Sequence, residues 1–140
     1  MRVQEIMSRE IDAVSPETTL RDAAERMQSL DVGVLPVCDN DRLVGVITDR
    51  DITVRATADG LDPFATQVGE VMSRNDLIVC LYDEDIEEAT QKMRDHQIRR
   101  LPVLDRDHRL VGILALEDLA LTPEKSDSST ETLKAVSRPR

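Results

Sequence analysis

The sequence predicts a mixed α/β fold of the α+β kind, two β-α-β-β-α repeats packed sheet to sheet with pseudo-two-fold symmetry. Three observations predict it. The chain is internally duplicated, each copy alternates a helical stripe with paired apolar runs, and one copy is too small to fold well alone. The duplication is sustained. VQEIMSR at residues 3–9 returns as VGEVMSR at 68–74, and LRDAAERM at 20–27 as IEEATQKM at 86–93. VLPV at 34–37 returns as RLPV at 100–103, and RLVGVITDRDI at 42–52 as RLVGILALEDL at 109–119. One copy has about 55 residues, marginal for independent stability, so the two halves are expected to share a buried core.

Taken in order, each copy opens with a short amphipathic stretch (3–7, 68–72) and a brief apolar segment (11–14, 77–81). A helix follows. Leu20, Ala23, Ala24, Met27 and Leu30 keep the spacing of a helix buried on one side, as do Ile86, Ala89 and Met93. Pro16, Glu17, Thr18 and Thr19 start the first helix; Asp83, Glu84, Asp85, Glu87 and Glu88 suit the start of the second, where acids meet the helix dipole. Two strands then flank a polar turn: 34–37 and 43–47 around Asp39-Asn40-Asp41, and 101–104 and 110–114 around 105–108. A last helix runs in the first copy from near Asp49 toward Gly60, a residue suited to a C-cap. The boundaries that follow are repeat 1 over 1–58, a linker over 59–66, repeat 2 over 67–121, and a polar Ser/Thr-rich tail over 122–140, expected to be disordered.

Composition narrows the function. The formal net charge is −10; the tail holds four basic and three acidic side chains, so it is +1 and residues 1–121 carry −11. Such a domain repels polyanions, which argues against nucleic acid as a partner. Phe64 and Tyr82 are the only aromatics, so bases have no stacking platform, and a bound ring must lie between aliphatic side chains. Apolar runs stop at six residues, too short to span a bilayer, and the N-terminus lacks the apolar core of a signal peptide, so a cytoplasmic protein is expected. Cys38 and Cys80 lack CxxC spacing, and His96 and His108 lie far from them in sequence, so no metal site is expected and the thiols are read as buried or inert. The methionines at 7, 27, 72 and 93 recur at equivalent places and read as core or cleft lining. No GxSxG, P-loop, GxGxxG or HExxH motif is present, and Asp51 has no obvious base or nucleophile partner; the chain is read as not an enzyme.

One stretch asks for a choice. In GVITDRD, residues 45–51, Thr48 followed by Asp51 is a capping-box variant that starts a helix. The same hydroxyl and carboxylate, beside free backbone N–H groups, also suit a phosphorylated ribose. Asp118 persists where Ala115 has replaced the capping hydroxyl, which predicts a role for the acid beyond capping.

Two copies of Met-Ser-Arg, helix, Leu-Pro-Val and Arg-Leu-Val-Gly followed by an acid resemble a tandem pair of CBS domains, a Bateman module, over roughly residues 3–120. The chain is similar to the stand-alone bacterial CBS-pair proteins, and in GLDP (60–63) and RRLPV (99–103) to their hypoxic-response type. The resemblance implies a regulatory module that binds an adenosine-containing ligand in a cleft between the repeats. AMP, ADP or ATP is expected (Mg²⁺ only with ATP), with S-adenosylmethionine and NAD as further candidates. It implies that Asp51 accepts both ribose hydroxyls and that Thr48 reaches ribose or phosphate. Val46 and Ile98 would flank adenine, Ile78 would present backbone groups to its edge, and Arg50, Arg99 and Arg100 would meet phosphates. Asp118, with Ala115, Gly33 and Val34 in the places of Thr48, Arg99 and Arg100, would mark a weaker second site. A homodimer and an unidentified effector protein are the expected macromolecular partners. The alternative is a dimerising scaffold whose ligand sites are vestigial.

Overall fold

The computed structural model describes residues 1–120; the expected tail, 122–140, lies outside them. The described chain divides into two compact units: Asp12–Leu77, and Met1–Ile11 together with the chain from Ile78 onward. The repeats are therefore regrouped. Each unit joins the helix and hairpin of one repeat to the opening segment of the other.

In the Asp12–Leu77 unit, α1 (Leu20–Leu30) begins at Thr19, whose hydroxyl accepts the Asp22 N–H. It ends at Asp31, held in the left-handed region at φ 54°, after which the Val32 N–H reaches back to the Met27 carbonyl. Leu20, Ala23 and Met27 are buried, whereas Ala24 and Leu30 of the expected stripe are exposed. The buried face is narrower than the periodicity predicts. β1 (Val34–Asp39) and β2 (Arg42–Thr48) form an antiparallel hairpin with a bulge at Val37/Cys38. Asn40, at φ 57°, makes its turn, a conformation asparagine tolerates. The apolar segment at 11–14 supplies one parallel bridge, Val14 to Val37. A wide, π-helical segment, Asp51–Thr57, follows β2. Its i→i−5 bonds continue into Ala58 N–H to Thr53 and Leu61 N–H to Ala56, and the chain turns at Gly60, φ +71°.

The other unit repeats this plan. β3 (Cys80–Leu81) pairs in parallel with β4 (Arg100–Leu104), which pairs antiparallel with β5 (Leu110–Ala115), giving the sheet order β3-β4-β5. α2 (Ile86–His96) starts at Asp85, whose carboxylate accepts the Glu87 N–H, and ends at Gln97, φ 52°. Asp83 pairs with Arg106 at 2.6 Å and Glu84 with Lys92 at 2.9 Å, so the acidic run serves the helix start and its surroundings. α3 (Leu116–Ala120) closes the described chain. Among the described residues, no helix is long and apolar enough to cross a membrane.

The opening segments fit onto the hairpins through two glycines. Ser73 exchanges both backbone hydrogen bonds with Val46 at 2.9 Å, as Ser8 does with Ile113 at 2.8 and 2.9 Å. Such close approach leaves no room for a side chain. A Cβ on Gly45 would stand 2.7 Å from the Ser73 carbonyl oxygen and one on Gly112 2.9 Å from that of Ser8. The glycine in each RLVG is thus a packing requirement. Met72 and Met7 lie over these same glycines, and each belongs to the core of its own unit, Met72 with Leu35, Val37 and Ile47, Met7 with Leu101, Val103 and Leu114. Met27 and Met93 are buried likewise, as the sequence predicts for all four. Cys38 and Cys80 are free and buried.

Candidate functional site

The candidate residues fall into both units. Val46, Thr48, Arg50 and Asp51 belong to Asp12–Leu77; Ile78, Ile98, Arg99, Arg100 and Asp118 belong to the other.

The corner around Asp51 is built by the end of β2. The Thr48 hydroxyl accepts the Asp51 N–H at 2.9 Å and the Asp51 Oδ2 accepts the Thr48 N–H at 3.0 Å, a reciprocal capping box. The Asp49 N–H meets the Gly33 carbonyl at 3.0 Å, and a Cβ on Gly33 would press to 3.1 Å from the Asp49 carboxylate. Arg50 is exposed, its N–H turned onto Asp49 Oδ1 at 2.8 Å. Asp51 is 7% exposed, a carboxylate that needs donors. Two that sequence reasoning missed supply them. Ser73 Oγ lies 3.2 Å from Oδ1 and 3.3 Å from Oδ2, and Arg55 Nε lies 3.8 Å from Oδ1. The Arg55 guanidinium also donates to the carbonyls of Val71 and Met72 at 3.2 and 3.3 Å, tying the π-helical segment to the segment that carries Ser73. The signal for Ser73 was present in the repeated Met-Ser-Arg; for Arg55 it was the four-residue spacing from Asp51.

The corner around Asp118 keeps half of this. Asp118 Oδ2 accepts the Ala115 N–H at 3.0 Å although Ala115 has no hydroxyl to return. The persistence of the acid therefore has a capping explanation after all, contrary to the sequence argument. Its serine counterpart, Ser8, turns its Oγ to the Glu10 N–H at 3.3 Å. Arg99 stands beside this corner: its carbonyl accepts the Leu116 N–H at 2.8 Å, and its guanidinium lies 4.0 Å from Glu117. Arg100 is exposed at the first position of β4. Ile98 is half-buried, positioned by its N–H bond to the Met93 carbonyl at the end of α2. Ile78 and Val46 are also half-buried.

Both thiols are held protonated. Burial, then the Asp41 carboxylate, pushes Cys38 up; burial, then Glu84, pushes Cys80 up to about 12 against a smaller opposing effect of Lys92. Neither is a ready thiolate ligand.

A hairpin closed by a capped helix, built twice and carrying an acid at each helix start, is the architecture of a CBS-domain pair. The CBS domain family matches residues 3–56 and 68–123, and the chain belongs to that family. Among curated proteins it is 42% identical over 135 residues to the CBS domain-containing protein YhcV of Bacillus subtilis, covering 96% of this chain and 94% of that one. It is 41% identical over 118 residues to hypoxic response protein 1 of Mycobacterium tuberculosis, covering 84% and 81%. Among solved structures, hypoxic response protein I with two coordinated zinc ions aligns with a TM-score of 0.76 at 38% identity, covering 88% and 100%. The CBS domain protein PAE2072 of Pyrobaculum aerophilum, complexed with AMP, aligns at 0.73 with 27% identity, covering 94% and 99%. The CBS domain pair of MJ0100, in complex with 5′-methylthioadenosine and S-adenosyl-L-methionine, aligns at 0.69 with 30% identity, covering 86% and 93%.

Proposed function

We propose that the chain is a non-catalytic regulatory module that binds an adenosine-containing ligand, with Asp51 accepting the ribose hydroxyls and Thr48 beside it. The observation that carries this reading is the Asp51 carboxylate itself, buried, fixed by the Thr48 cap, and met among the described residues by the hydroxyl of Ser73 and a distant guanidinium. A charged acceptor held this way is suited to a pair of ligand hydroxyls, each charge-assisted bond contributing about 1.5–3 kcal/mol. Relatives of the same fold are solved with AMP or with S-adenosylmethionine and methylthioadenosine, which supports the ligand class. Val46, Ile78 and Ile98 would hold the adenine and Arg50, Arg99 and Arg100 the phosphates, with Mg²⁺ entering only as a companion of ATP. Asp118 would mark a weaker second site. Among the described residues no group of three or more His, Cys, Asp or Glu side chains could hold a metal ion.

The test is thermal shift with AMP, ADP, ATP, S-adenosylmethionine and NAD. A ligand at 100 times its Kd adds about 2.7 kcal/mol to folding stability. Asp51→Asn should abolish that gain. No shift with any of the five would leave the scaffold reading standing. A homodimer fits the exposed apolar side chains Val54, Leu61 and Phe64. Light scattering of the wild type and of Phe64→Ser tests it, a dimer weakened by the substitution being the expected result.

A further inference from the structure

Ser73 was not among the residues expected at the site, yet it has the most telling position in it. Its Oγ is nearly equidistant from the two carboxylate oxygens of Asp51, 3.2 and 3.3 Å. A hydroxyl oxygen so placed faces the fork of the carboxylate, where its one hydrogen can reach either oxygen. That fork is where a vicinal diol binds, one O–H to each oxygen. The Thr48 N–H approaches Oδ2 from the backbone at 3.0 Å and is fixed there. The Ser73 hydroxyl is movable. Its backbone is pinned to Val46 by two 2.9 Å bonds, but rotation about χ1 alone would lift Oγ out of the fork.

We propose that Ser73 is a place-holder for the ribose diol: it closes the Asp51 carboxylate in the ligand-free chain and withdraws when a cis-diol brings two donors against its one. The proposal rests on the adenosine reading of Asp51. It explains how a buried carboxylate is kept satisfied without a ligand, since an unpaired one would be costly. It also explains why the arrangement occurs at one corner only. Ser8, at the equivalent position, turns its Oγ to accept the Glu10 N–H, and among the described residues Asp118 accepts the Ala115 N–H with no serine hydroxyl in its carboxylate.

Competition and support predict opposite signs. Ser73→Ala removes the competitor, so AMP should bind about fivefold more tightly, the size of one net hydrogen bond. The same substitution strips a donor from Asp51 in the ligand-free chain, so its melting temperature without AMP should fall. Ser73→Thr, which keeps the hydroxyl, should restore both values toward wild type. Titration calorimetry with AMP on the full chain, paired with melting of the ligand-free variants, reads all of this. A weaker or unchanged affinity in Ser73→Ala, with wild-type binding that is lost in Asp51→Asn, would overturn the place-holder and leave the adenosine site intact. AMP binding that survives Asp51→Asn, or no AMP binding by the wild type, would overturn both.

Discussion

The corners at Asp51 and Asp118 have the same backbone and different chemistry. At both, a strand ends, an acid three residues on accepts the N–H of the last strand residue at 3.0 Å, and a serine from the other repeat's opening segment pairs with the strand. Only at Asp51 does a hydroxyl return the cap, only there does the serine side chain enter the carboxylate, and only there does an arginine one turn on complete the surroundings. In the unit that holds Asp118, the Arg99 guanidinium lies 4.0 Å from Glu117. The cap is thus a property of the fold, retained wherever the strand must hand over to a helix. The extra donors are a property of one site. An acid at a helix start is weak evidence for a ligand; an acid that is capped and still gathers movable donors is stronger evidence.

That contrast can be broken by substitution. The largest effect is expected from Asp51→Asn, which should raise the Kd for AMP by at least about 150-fold, the loss of two charge-assisted bonds, while Asp118→Asn changes it little. Next come the glycines under the serine segments. Gly45→Ala and Gly112→Ala should each cost about 1–3 kcal/mol in urea unfolding, because the new methyl meets a backbone oxygen that cannot retreat without breaking the pairing. Exchanging the caps is subtler. Thr48→Ala should lose about 1 kcal/mol and Ala115→Thr should recover part of a similar amount, making each corner resemble the other.

The smallest effect concerns the thiols. Cys80 keeps its proton in the folded chain up to about 12, whereas an exposed thiol loses it near 9.0. Above pH 9.0 the unfolded chain binds fewer protons than the folded one, so stability is complete below that pH and declines toward pH 12. Cys80→Ala should flatten that decline in alkaline melts, although it lowers stability at neutral pH by opening a small cavity.

Much of this was legible in the sequence because duplication tests each reading twice. The helices, the hairpins and the polar turns recur at matching offsets, and the Thr48–Asp51 cap is visible as a spacing. What the sequence hid was which segment packs on which hairpin. VQEIMSR and VGEVMSR each precede a repeat in the chain yet pair with the other repeat's second strand, through Ser8 with Ile113 and Ser73 with Val46. Sequence adjacency favours local pairing, and no periodicity encodes an exchange of this kind. Ser73 was overlooked for that reason. Ala24 and Leu30 erred in the opposite direction: their spacing fits a buried stripe, but α1 buries only the face of Leu20, Ala23 and Met27.

The central claim is the proposal that Asp51 carries the one dominant adenosine site of the chain. Calorimetric titration of AMP into the wild type, Asp51→Asn, Asp118→Asn and Arg99→Ala/Arg100→Ala measures it directly. The account predicts one dominant site per chain, lost in Asp51→Asn, weakened in the arginine variant and retained in Asp118→Asn. Two equivalent sites, or binding that depends on Asp118 and not on Asp51, would contradict it.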